Sequence, residues 1–289
     1  FNNTTTEPII GNSPLSFNNP NTACFLDQTF ADFSAGITGT NTYVSNTQDG
    51  ELTLNPTAAA EFTVLPATSE WNSFPWTGGA STVSGGILTV NGARLNSQPS
   101  TNTFSPGSSV EFVATFNAIN LQHIGFGGGT DATGSGGIFN GESSWAMFGT
   151  GNSSTVLKTR TFTGTGSSID FDIPGSYLGT SHRYKIDWKV SSVDYYIDGV
   201  LVHTENVAIG GTMRPAISDF FLSAPSLTVD WIRVSPYPAS GTFTSRIFDA
   251  GIVKNWETAL WSADLPAGTT MQISYRRGNT AVPDGSWIS

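Results

Sequence analysis

The stretch SHRYKIDWKVSSVDYYIDGVLVHTENV, residues 181–207, decides the fold. Tyr184, Ile186, Trp188 and Val190 recur at every second position, and so do Val193, Tyr195 and Ile197. A period of two belongs to strands that turn one face to a core. Asp198-Gly199 then marks a two-residue hairpin, because a type I′ turn needs positive φ at both central positions and Asp and Gly tolerate that best. Val200-Leu201-Val202 opens the next strand.

Working outward, the same alternation returns in Glu51–Leu54, Gly86–Val90, Val110–Phe116 and Leu227–Val234, separated by clusters of Gly, Asn, Asp and Pro. No run of a dozen residues has the 3.6 period of a helix. The expectation is an all-β chain of antiparallel β-sandwiches, one of them a jelly roll, with a second and smaller β domain.

The order H-x-Y-x-I-x-W from His182, Y-x-I-D-G from Tyr195 and V-D-W-I-R-V from Val229 resembles the C-terminal half of family 16 glycoside hydrolases and related concanavalin A-like lectin and glucanase sandwiches. The resemblance implies a module over residues 61–237, with Phe62 to Ser97 as opening strands and residues 110–162 as middle ones. It also implies an E-x-D-x-E triplet on a concave strand, since glycosidases work with paired carboxylates and alternation sets them on one face. Where that strand is expected, the sequence reads Glu142-Ser143-Ser144-Trp145-Ala146-Met147-Phe148-Gly149, with one carboxylate at its edge. Asp170 and Asp172 have the right spacing but read as a solvated face alternating with Ile169, Phe171 and Ile173. The same resemblance implies a structural Ca²⁺ held by Asp230 and the carbonyl of Gly86, oxygen donors that suit a hard cation.

The flanks read differently. Residues 1–24 are rich in Asn, Thr, Pro and Ser, as in a linker or extended arm. Residues 25–60 and 238–289 each carry too few strands for a sandwich, so they are expected to be two parts of one split β domain. The latter part resembles a β module of large secreted bacterial proteins.

Only 12% of the residues are charged, and the net charge is −10 with a pI near 4.5. Such a chain has no cationic excess to neutralise phosphates, which argues against nucleic acid and anionic membranes. No apolar run reaches the length of a membrane span. Cys24 is the single cysteine, so no disulfide forms within the chain, and the three histidines are scattered. The sequons at Asn2, Asn3 and Asn152 indicate surface positions. A secreted or cell-surface location is expected from the composition.

Trp71, Trp76 and Trp145, with Phe74 and Phe148, are candidate platforms for a sugar ring, because indole is flat, apolar and carries one N–H donor. Trp71 and Trp76 stand in a Ser, Pro and Gly-rich stretch read as a loop, whereas the alternating Trp188 and Trp231 are assigned to the core. Arg94 and His123, beside Asn96 and Gln122, are candidate donors to sugar hydroxyls. These readings lead to a non-catalytic carbohydrate-binding or adhesion module whose partners are a glycan or polysaccharide, neighbouring domains or copies of itself. The alternatives are a structural spacer or filament subunit, and a glycoside hydrolase with an unusual active site using Glu142, Asp131 or Asp170.

Overall fold

The computed structural model describes residues 9–10, 15–18, 25–47, 50–98, 103–129, 139, 143–152, 155–222, 224–253, 256, 258–265 and 268–289. Contacts divide the chain into two units, residues 1–56 with 237–289, and Thr57–Pro236. Cys24, Asn2 and Asn3 lie outside the described residues, as do Glu142 and Asp131.

The smaller unit begins with β1 (Ile9–Ile10), β2 (Leu15–Asn18), β3 (Phe25–Asp27), the short helix α1 (Phe30–Ser34), β4 (Ile37–Thr38), β5 (Thr42–Ser45) and β6 (Glu51–Leu54). Thr29 and Asp32 start α1 with a reciprocal capping box, each side chain bonding the other's backbone amide. β1 and β2 fall inside the segment expected to be a linker. Short apolar runs such as Ile9-Ile10 show no period of their own, yet β6 offers a strand edge on which they pair.

The larger unit comprises β7 (Ala58–Ala60), β8 (Trp71–Ser84), β9 (Ile87–Ser97), β10 (Ser108–Thr115), β11 (Gln122–Gly127), β12 (Trp145–Gly149) and β13 (Lys158–Phe162). It continues with β14 (Ile169–Asp172), β15 (Ser181–Trp188), β16 (Val193–Ile197), β17 (Val200–Glu205), β18 (Arg214–Asp219) and β19 (Leu227–Val234). The smaller unit resumes with β20 (Phe243–Thr244), which pairs with β4, and β21 (Thr258–Leu260), which pairs with β2.

All ladders of the larger unit are antiparallel, in the order β14-β13-β12-β11-β18-β9-β19-β10-β15-β16-β17, with β8 on β9 and β7 on β19. β19 turns the corner between two layers, pairing with β9 through Leu227–Val229 and with β10 along its length. The layers close on one core that includes Leu88, Val90, Phe112, Ile124, Phe148, Tyr184, Trp188 and Tyr195. At the far rim Phe171 of β14 and His203 of β17 stack with ring centres 4.1 Å apart, joining the two ends of the strand order. This is an antiparallel jelly-roll sandwich.

The opening segment forms three strands with the expected faces. Tyr184, Ile186 and Trp188 are buried, and the Trp188 indole donates to the Ile209 carbonyl at 3.2 Å. Ile197 pairs directly with Val200, and Asp198 and Gly199 have φ of 51° and 79°, as the two-residue turn demands. Trp231 is buried too, but not in the core cluster. Asp230 has no opposite number on β10, and this β-bulge leaves Trp231 flanked by the guanidinium groups of Arg233 at 4.2 Å and Arg183 at 5.8 Å.

Candidate functional site

Directly opposed residues in an antiparallel ladder share a face, so register alone defines the face of the β8-to-β14 layer turned away from the core. One row across it runs Phe74, Arg94, Ser218, His123, Gly149, Lys158 and Asp172. The next runs Asn72, Asn96, Ala216, Gly125, Met147, Arg160 and Asp170. A third holds Arg214, Gly127, Trp145 and Phe162. Strand β12 therefore shows Trp145, Met147 and Gly149 at the alternate positions where the resemblance implied carboxylates.

The middle of this face is covered. Trp145, Met147 and Phe162 are buried together with Phe139 packed on them. His123 lies over Gly149, where an added Cβ would come within 2.3 Å of the imidazole. Arg160 Nη1 approaches His123 Nε2 at 2.9 Å. A guanidinium only donates, so Nε2 is the acceptor and the imidazole is neutral. Burial first, and the Arg160 charge second, push the His123 pKa down to about 3. Arg160 also sits 5.4 Å from the Trp145 ring and donates through Nε to both carboxylate oxygens of Asp170 at 3.1 Å. On the neighbouring row Lys158 pairs with Asp172.

The other expected residues divide. Arg94 is buried over the Phe74 ring at 4.6 Å and donates through Nε to Asn96 Oδ1 at 3.1 Å. It thus braces the face from within rather than reaching out from it. Gln122 is on the core side, where it bonds Asp219. Trp71 is not in a loop. It opens β8, is 2% exposed, belongs to the core and donates to the Ala59 carbonyl, so it offers no platform to a ligand. Trp145 is closed off in the same way, under Phe139. Trp76 stays half-exposed and meets Phe220 edge to face at 5.0 Å. Gly86 is in the turn before β9 with φ of 81°, and Asp230 is the bulge residue of β19. Burial, then the nearby Glu61 carboxylate, raise the Asp230 carboxyl, against the pull of Arg233. Among the described residues no three His, Cys, Asp or Glu side chains gather as a metal site, and no helix is long and apolar enough to cross a membrane.

Two functional candidates escaped the sequence. Arg160 stands in the polar run Lys158-Thr159-Arg160-Thr161, whose alternation carries no apolar signal. Phe220-Phe221-Leu222 lack alternation and resemble core residues, yet all three are exposed.

Topology and register together define an antiparallel jelly-roll sandwich. No family model and no curated protein matches the sequence. Among solved structures it is similar to a Bacillus licheniformis beta-glucanase, with 14% identity and a TM-score of 0.46 over 63% of this chain and 99% of that one. A lichenase derived from a mouse hindgut metagenome gives 13% and 0.44 over 62% and 98%. A glycosyl hydrolase family protein from Mycobacterium fortuitum gives 16% and 0.44 over 63% and 100%. At these identities the likeness is one of fold. The names of these solved structures are those of hydrolases, which runs against the expectation of a non-catalytic binding or adhesion module.

Proposed function

We propose that the Thr57–Pro236 unit is a glycoside hydrolase acting on a polysaccharide, with its carboxylates on β14 instead of β12. The observation that carries this is the pair Asp170 and Asp172, alternate residues on the layer face, each engaged by a cation of β13. Alternate residues of a strand stand roughly 6.6 Å apart at their Cα atoms, a spacing from which two carboxyl groups can bracket a glycosidic bond. Both remain reachable at the sheet margin, with side chains 33% and 66% exposed. Arg160 donates to both carboxylate oxygens of Asp170 and so orients it, which suits a nucleophile or base. Asp172, the more exposed of the two, is assigned the proton transfer at the leaving oxygen, a role that requires the substrate to draw Lys158 away from it.

Reducing-end release from a panel of β-glucans, galactans and xylans tests the reading. Asp170→Asn and Asp172→Asn are each expected to lower kcat at least a hundredfold with the fold intact. Absence of release by the parent chain from every polymer, or full activity in the double variant, rejects it.

A structural Ca²⁺ is further proposed beside Asp230, whose carboxyl and the nearby Glu61 carboxylate, itself paired with Arg233, are hard oxygen donors. The Asp230 and Glu61 carboxylates and the Gly86 carbonyl would hold it, and it would pin the β9–β19 corner. A location outside the cell fits the low charge content and the hydroxyl and amide-rich surface.

A further inference from the structure

Beside β8 stands an apolar shelf that the carboxylate pair does not use. The β8–β9 ladder runs to Pro75 opposite Ala93 and resumes at Ala80 opposite Asn91, leaving Trp76 in the break. The break is built tightly, since a Cβ on Gly79 would lie 1.8 Å from the Gly92 carbonyl oxygen. Onto it the chain leaving β18 lays Phe220, Phe221 and Leu222. Phe220 meets Trp76 at 5.0 Å and Phe221 at 5.3 Å, and Leu222 comes against Gly78 and Gly92. The three are 39%, 44% and 59% exposed. They are held from beneath by buried Asp219, whose Oδ2 accepts from Gln122 Nε2 at 2.9 Å and from the Leu227 amide at 3.0 Å.

We propose that this shelf is a subsite for a pyranose ring of the polysaccharide chain, which rests on the hydrolase reading above. A pyranose has an apolar face rimmed by hydroxyls, and rigid aromatic rings match it with little loss of conformational freedom. Four large apolar side chains cover one or two such rings and fall well short of the roughly 800 Å² per partner of a stable protein interface. The shelf also continues the layer face. Phe74, two residues before Trp76, leads the row through Arg94, Ser218 and His123 that ends at Asp172. A glycan seated on the shelf with its scissile bond at β14 has to pass over the covered middle of the layer, so the enzyme works on long chains.

The test compares the parent chain with Trp76→Ala, Phe221→Ala and Trp76→Phe on polymers and on their disaccharides. Affinity electrophoresis in polymer-containing gels and reducing-end kinetics are both read. Each Ala variant is expected to raise KM on polymer and weaken gel retardation about three- to tenfold, the worth of one aromatic contact. kcat and disaccharide turnover should stay unchanged, and Trp76→Phe should restore most of the loss. Should Trp76→Ala fail to fold, the more exposed Phe221 carries the comparison. Parent-like KM and retardation in folded Ala variants overturn the shelf while leaving the hydrolase standing. Retardation of the parent chain that weakens in the Ala variants, without hydrolysis by any of them, keeps the shelf and removes the hydrolase. No retardation and no hydrolysis overturns both.

Discussion

Replacing Asp219 by Asn asks whether one buried carboxyl sets the pH dependence of the larger unit. The side chain is fully buried, with Gln122 and the backbone amide of Leu227 bonded to one oxygen. Burial outweighs these bonds and pushes the carboxyl from 3.8 up to about 6. A group whose pKa is raised by folding holds its proton more tightly in the native state. Its contribution to stability is therefore complete below the unfolded value and is lost as pH rises through about 6. A gap of about 2 pKa units corresponds to about 3 kcal/mol. The amide oxygen of asparagine can keep both hydrogen bonds while the charge disappears. The variant should then lose stability relative to the parent at pH 4, by the cost of a buried amide N–H of about 1–3 kcal/mol. Relative to the parent it should then gain about 3 kcal/mol by pH 8, ending level with it or above it. Urea unfolding of both chains, followed by tryptophan fluorescence at unit steps of pH, measures the gap directly. All other titrating groups cancel in the subtraction. Two stability curves that run parallel from pH 4 to pH 8 refute the reasoning.

Further outcomes follow from the face and the corner. His123 should show no titration of its ring proton shifts between pH 5 and 8 by NMR, because burial and Arg160 hold its pKa near 3. Gly149→Ala, whose Cβ would press on the imidazole, should destabilise by about 1–3 kcal/mol as an overpacking change and release the His123 contact with Arg160. Millimolar Ca²⁺ should raise Tm and a chelator lower it, with a ligand a hundredfold above Kd adding about 2.7 kcal/mol. Asp230→Asn should abolish that response.

The strands were legible where burial on one side imposes a period of two, as in Tyr184-x-Ile186-x-Trp188. The tight turn was legible because only a few residues accept its dihedrals, and Asp198-Gly199 are among them. Trp71 was misplaced because Ser73, Pro75, Gly78 and Gly79 look like loop chemistry. On an edge strand such as β8, paired only with β9, Pro and Gly are tolerated at a break in the ladder. The neighbours of β18 were not legible, since strand order between distant segments leaves no local trace. For the same reason nothing near Arg160 announced that it would meet both His123 and Asp170. The emptiness of β12 in carboxylates was plain from Trp145-Ala146-Met147-Phe148-Gly149, but that Phe139 would pack over Trp145 was not.

The first and last strands of the larger unit lie side by side. Ala58 faces Val234, and the Thr57 amide bonds the Val234 carbonyl at 3.0 Å. Entry and exit thus stand about one strand spacing apart, near 5 Å, so a few residues would suffice to splice them together. A circular permutant opened at Gly85-Gly86, where a side chain would meet nothing within 4 Å, would retain every ladder of the sandwich. What changes is the order in which partners leave the ribosome. With β8 made last and β9 first, the longest hairpin of the unit becomes its most distant pairing, and folding should slow while the native structure stays the same.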